Sequence, residues 1–264
     1  MEASFKDPKI TSKENVAYLN ALSTYIEESF GTPVDKFENF PKFATRTSIT
    51  RFLARYEIFK KVLNVQGSIV ECGVLFGGGL MTWAQLSSIL EPANHQRRVI
   101  GFDTFAGFPS ISAEDRTAKA SSLMEEGGHS VEQIHNKATA IASIEEDLKQ
   151  CIALYNRTRY FNHIDKVELI KGDVCKTAYK YVIDNPHLVV SLLYLDVDLH
   201  EPTRKALELF VPRIPRGGII AFDELNSPLW AGETIAVVNA IGIHKLKLER
   251  FQFGTGISYA VVGE

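Results

Sequence analysis

No window of this 264-residue sequence is long and apolar enough to span a bilayer, and the opening stretch MEASFKDPKITSKEN has no hydrophobic run. A soluble, cytoplasmic protein with no membrane partner is expected. Cysteine is scarce: Cys72, Cys151 and Cys175 are too few and too far apart for a disulfide framework, and no Cys/His cluster has zinc spacing. Positive charge is not in excess, with 29 Lys and Arg against 32 Asp and Glu and a net charge of −3. No basic run is interleaved with aromatics, so nucleic acid is excluded as a partner. A GxGxxG phosphate loop is missing, as are internal repeats and low-complexity linkers that would divide the chain.

What is present is a series of short apolar runs that end at Gly or Asp: SIVECG, RRVIGFD, KVELIKGD, VVSLLYLD and GGIIAFDE, then LERFQF and GISYAVV. Such runs fit strands buried on both faces. Helix-period segments at Gly78 to Leu90, Pro202 to Val211 and Glu233 to His244 fall between them, which predicts a doubly wound, mostly parallel α/β sheet. The last two runs, joined by GTG, read as a hairpin that adds an antiparallel strand. Residues 1–66, with helices predicted over Ser12 to Phe30 and Thr47 to Val65, form a helical segment of the same domain. The second helix carries Phe52, Tyr56, Phe59, Lys60 and Leu63 along one side. Residues 67–264 form the core, and a polar insertion at about 110–137 reads as a lid or a disordered loop.

The turn VECGVLFGGG supplies Gly73, Gly77 and Gly78, where backbone can approach a ligand. One strand later Asp103 is placed to accept hydrogen bonds from ribose hydroxyls. A ribose site without a pyrophosphate cradle points to S-adenosylmethionine (SAM), with Glu71 near its ammonium group. Gly172 and Asp173, after the next strand, fall beside the adenine; Asp173 reads equally as a helix N-cap. Phe102, Phe105 and Phe108 either wall the adenine or pack in the core.

Acids gather at two strand ends, Asp196 and Asp198 in LYLDVDLHEPT, then Asp223 and Glu224 in AFDEL. Burying them together without a cation is costly, and an all-oxygen set suits a hard ion such as Mg²⁺. If the chain stays extended, Asp196 and Asp198 share a face; if it turns after Leu195, they diverge.

The motif order ECGVLFGGG, FDTFAGFP, KGDV, LDVDLHEPT and FDEL, from about Arg46 to Phe253, resembles the TylF/macrocin O-methyltransferase family of class I SAM-dependent enzymes. The resemblance implies a seven-stranded Rossmann-like sheet, a required Mg²⁺, and transfer of a methyl group to a hydroxyl of a sugar, nucleotide-linked or glycosidic, in natural-product or surface-glycan biosynthesis. It places the metal ligands on Asp196, Asp223 and Glu224, the general base on Asp198, and cofactor contacts on Glu71 and Asp103. The family often has Asp-Asp where this chain has Asp223-Glu224, and commonly Tyr at His200, which makes His200 an alternative base. A homo-oligomer is expected. The competing classes are an NAD-dependent sugar-nucleotide oxidoreductase and a non-catalytic binding protein on the same fold.

Overall fold

The computed structural model describes residues 11–130, 141 and 143–264. Three helices come first: α1 (Lys13–Glu28), α2 (Pro33–Glu38) and α3 (Arg46–Val62). Ser12, Thr32 and Thr45 begin them as N-caps, each side chain accepting a backbone N–H three residues on. Neither α1 nor α2 buries a residue, whereas α3 buries Ala54, Arg55, Ile58, Phe59 and Val62. That stripe departs from the predicted one: Phe52 is exposed, and a charged arginine faces inward.

Seven strands follow: β1 (Ser68–Cys72), β2 (Val99–Asp103), β3 (Val167–Lys171), β4 (Val190–Leu195), β5 (Ile219–Phe222), β6 (Glu249–Arg250) and β7 (Ser258–Val261). Their order across the sheet is β3-β2-β1-β4-β5-β7-β6. The first five are parallel, and β7 runs antiparallel to both neighbours. The run LERFQF contributes only Glu249 and Arg250 to the sheet, while Phe251 and Phe253 stack on each other at 5.2 Å.

Five more helices cover the sheet: α4 (Gly78–Leu90), α5 (Ile144–Asn156), α6 (Val174–Asp184), α7 (His200–Phe210) and α8 (Ala231–Ala240). Alternation along each strand sends Ile69, Leu192, Tyr194 and Ile219 to one face, against α3, α4 and α5. Val70, Cys72, Leu193 and Phe222 go to the other, against α6, α7 and α8. The strand order changes direction at β1 and β4, so their C-terminal ends open a crevice there, as in other open α/β sheets.

The polar insertion is not loose up to residue 130. Met124 packs with Leu199, Leu229 and Trp230, and Phe108, Ile111 and Leu123 lie against them. Backbone bonds join Ser121 N–H to Leu229 O at 3.0 Å and Phe108 N–H to Gly128 O at 2.9 Å. Ile111, Leu123 and Met124, among many polar residues, seat the segment. The rest of the lid expectation, residues 131–137, lies outside the described residues.

Candidate active site

A cavity of about 520 Å³ opens at the C-terminal ends of β1, β2, β3, β4 and β5. One end is walled by Gly73, Asp103, Phe105, Gly172 and Asp173, the other by Arg51, Asp196, Asp198, Asp223 and Glu224, with Phe108, His129 and Trp230 also in its wall. Volume and lining suit a cofactor and a small acceptor together.

Asp103 organises the first end. Its Oδ2 accepts the N–H groups of Val74 and Leu75 at 2.7 and 2.8 Å, and its Oδ1 accepts that of Phe105 at 2.7 Å. Leu75 and Phe105 both have positive φ, 49° and 55°, a conformation that L-residues adopt only when held. One carboxylate thus braces the loops after β1 and β2. Three of its roughly four lone-pair sites are spent on backbone, which leaves one for a ligand hydroxyl rather than the predicted two.

Gly73 was expected to admit a ligand, and it lines the cavity, but its close contact is internal. A Cβ there would lie 1.9 Å from the Asp196 carbonyl oxygen, and Asp196 N–H donates to Cys72 O at 2.9 Å. Its φ of +90° also disfavours other residues. Gly77, the left-handed residue before α4, and Gly78, its first residue, stand outside the cavity wall. Asp173 lines the cavity and, as one of its two readings had it, caps α6, accepting the Cys175 N–H at 2.9 Å. Phe102 packs edge-on against Tyr181, and Phe108 stacks on His129 at 5.0 Å.

Glu71 stands behind the cavity wall, buried beneath α4, where its Oε1 would touch any Cβ at Gly79. Its Oε2 has no hydrogen-bond partner. Burial raises its pKa to about 7, with nearby Arg55 opposing the shift. The folded carboxyl therefore keeps its proton while the unfolded chain releases it near pH 4.5. The resulting stability is complete below pH 4.5 and lost as pH rises to about 7, on the order of 3 kcal/mol over that span. Glu71→Gln is expected to flatten the fall in Tm between pH 5 and 8; melting curves that stay parallel to wild type at every pH would place an ionised Glu71 in the fold.

The acidic end is crowded. Asp196, Asp198 and Glu233 have pKa values raised well above the ordinary carboxylate range, and Glu224 is raised to about 7, by burial first and then by mutual repulsion. Helix α3 supplies the counter-charge. Arg51 Nη2 donates to Asp223 Oδ2 at 3.3 Å, and Arg55 Nη2 lies 3.9 Å from Asp196 Oδ2. A relay extends from Arg55 to the Tyr194 hydroxyl at 3.2 Å and from that hydroxyl to Asp223 Oδ1 at 2.7 Å. Arg51 is half exposed, whereas Arg55 is held over the rings of Tyr194 and Trp83. Asp196 keeps 31% of its side chain accessible, open to the cavity. Among the described residues no three Asp, Glu, His or Cys side chains group closely enough to hold a metal ion; the arginines and Tyr194 occupy the carboxylates.

After Leu195 the chain turns. Asp198 takes φ +61°, and Leu199 N–H closes a tight turn onto Val197 O at 2.6 Å. A non-glycine residue in that region costs about 1–3 kcal/mol, a strain that collects at functional sites. The buried Asp198 carboxyl lies 3.7 Å from His129 Nδ1 and still feels the charges of Asp223 and Glu224. His200, the alternative base, is elsewhere: it begins α7, is buried beside Glu201 at 3.4 Å, and does not line the cavity. Sequence reasoning overlooked Arg51, Arg55, Tyr194, His129, Trp230 and Glu233. Arg51 and Arg55, one helical turn apart on an otherwise apolar face, were the available signal for the first two.

A strand order of 3-2-1-4-5-7-6 with the cavity at its switch point defines the class I, Rossmann-like methyltransferase fold. Two solved structures of high likeness carry it. CalS11, the calicheamicin methyltransferase, is 32% identical with a TM-score of 0.86 over 96% of this chain and 95% of that one. Apo CalS11, described as a TDP-rhamnose 3'-O-methyltransferase, is 31% identical with a TM-score of 0.79 over 96% and 97%. Residues 38–238 match the macrocin O-methyltransferase (TylF) family, and the chain belongs to that family. A curated relative from Streptomyces olivaceus, 8-demethyl-8-(2,3-dimethoxy-alpha-L-rhamnosyl)-tetracenomycin-C 4'-O-methyltransferase, is 29% identical over 163 residues. That match takes in 61% of this chain and about half, 54%, of the relative. No helix among the described residues is long and apolar enough to cross a membrane.

Proposed function

We propose that this chain is a SAM- and Mg²⁺-dependent O-methyltransferase whose acceptor is a hydroxyl of a deoxysugar, nucleotide-linked or glycosidic, in natural-product biosynthesis. The observation that carries the reading is the cavity itself, which brings the buried, left-handed Asp198 and the acids Asp196, Asp223 and Glu224 together with the Gly73 and Asp103 loops. Relatives named for rhamnose and rhamnosyl acceptors support the sugar class.

When bound, SAM supplies an electrophilic methyl group on a sulfonium; Asp103, Gly73, Gly172 and Asp173 line the end that would hold it. The oxygen-only set Asp196, Asp223 and Glu224 suits Mg²⁺, which supplies charge that orients vicinal hydroxyls and lowers their pKa. The acids repel one another, which favours a cation among them, but as placed they do not group closely enough to hold one, so the carboxylates must draw together and Arg51 must give up Asp223. Asp198 is the base: its carboxylate accepts the acceptor's hydroxyl proton. Phe108, His129 and Trp230 form an aromatic wall that keeps water from the reacting groups, with Phe108 and Trp230 ring centres 5.9 Å apart. A homo-oligomer belongs to the same reading, supported by α1 and α2, which bury nothing within the chain and, with the link between them, expose Tyr18, Phe30 and Phe37.

The test is methyl transfer from labelled SAM to a panel of free, glycosidic and nucleotide-linked deoxysugars, with and without chelation. Transfer to at least one acceptor, abolished by EDTA and restored by Mg²⁺, is expected. Full turnover after exhaustive chelation would remove the metal from the mechanism, and transfer to no sugar would remove the acceptor class.

A further inference from the structure

The acceptor side of the cavity is completed by a residue far away in sequence. Helix α7 starts at His200 without a side-chain cap of its own, because Leu199 occupies the N-cap position. The missing acceptor comes from Asp115, in the segment after β2, whose Oδ1 takes the His200 N–H at 2.7 Å across 85 residues of sequence. Its Oδ2 accepts the Ser112 N–H at 3.0 Å and hydroxyl at 2.7 Å, so both oxygens of this buried carboxylate are engaged. Gly232 leaves room for it: a Cβ there would lie 1.9 Å from Asp115 Oδ1 and 2.6 Å from His200 N.

The bond falls two residues beyond the strained Asp198. The same segment reaches Asp198 directly through His129, and Met124 packs against Leu199. A left-handed aspartate followed by an uncapped helix start has little in its own sequence to hold it, so its geometry depends on what is pressed against it.

Resting on the methyl-transfer reading, we propose that Asp115 is the positioning residue for the Asp196–His200 turn: by capping α7 from the insertion it fixes where the Asp198 carboxyl points. The segment 110–130 is then part of the acceptor site. The cofactor end, braced separately by Asp103, does not depend on it.

Three variants test this. Asp115→Ala removes the cap and is expected to lower kcat about 100-fold, the loss that a displacement near 1 Å can cause, with affinity for S-adenosylhomocysteine unchanged. Asp115→Asn keeps a carbonyl oxygen toward His200 N–H but sets an NH₂ against the Ser112 N–H, and should recover part of that loss. Gly232→Ala pushes on the same contact from the other side and should reproduce the loss with Asp115 intact. Hydrogen exchange at the His200 amide should quicken in Asp115→Ala and Gly232→Ala. If exchange quickens while kcat holds, or if kcat, cofactor affinity and Tm fall together, the positioning role is overturned. A wild-type protein that transfers no methyl group to any acceptor overturns the methyl-transfer reading instead, and the cap then stands or falls on the His200 exchange rate.

Discussion

Asp198→Asn is expected to lower kcat by about 10²–10⁴-fold, the range for loss of a general base. The substitution keeps the shape of the side chain and its left-handed backbone, because Asn tolerates that region as well as Asp does. It also removes one of several carboxyls that repel one another, so Tm should hold or rise. Mg²⁺ affinity should change little if Asp198 is the base and not a ligand, and calorimetric titration with Mg²⁺ checks it. If the variant instead binds Mg²⁺ weakly and excess Mg²⁺ restores the rate, Asp198 is a ligand and the base must be sought elsewhere. His200 would not be the first replacement, given its buried place outside the cavity; His129, beside Asp198, would be.

The second large effect concerns the cofactor. Asp103→Ala frees three backbone donors and leaves the left-handed Leu75 and Phe105 to the local turn bonds alone, Gly77 N–H to Val74 O at 2.8 Å and the Thr104 hydroxyl to Gly107 O at 2.6 Å. Each hydrogen bond to a charged group contributes about 1.5–3 kcal/mol, so losing the brace should weaken S-adenosylhomocysteine binding by at least about 100-fold. Asp103→Asn, with a single acceptor oxygen, can hold Val74 and Leu75 or Phe105 but not both sides, and should fall between. Calorimetry reads both. Equal affinity across wild type and the two variants would mean that neither loop touches the cofactor.

The sheet was legible because its strands are apolar on both faces and end at Gly or Asp, a pattern set by burial alone. Helix α4 was legible to the residue, since the glycines that start it and the apolar run that follows leave little choice. Helix α5, which follows the polar insertion, went unrecognised, and α6 was read only from its cap Asp173 and given no range, since a cap and a cofactor residue look the same there. In the site, acids at strand ends could be found because topology brings strand ends together. Their partners could not: Arg51 and Arg55 come from α3, ahead of the sheet, and Asp115 and His129 from an insertion whose polar composition hid its apolar contacts. Asp103 was singled out for ribose hydroxyls, and no sequence signal showed that its oxygens serve the backbone first.

The most direct measurement is a crystal structure with S-adenosylhomocysteine, Mg²⁺ and a deoxysugar acceptor in the cavity. The expected result is an acceptor hydroxyl within hydrogen-bond reach of Asp198, roughly 2.6–3.2 Å, with the cation on Asp196, Asp223 and Glu224 and Arg51 withdrawn from Asp223. A sugar bound outside this cavity, or Asp198 bonded to the cation with no hydroxyl beside it, would contradict the assignment of base and ligands.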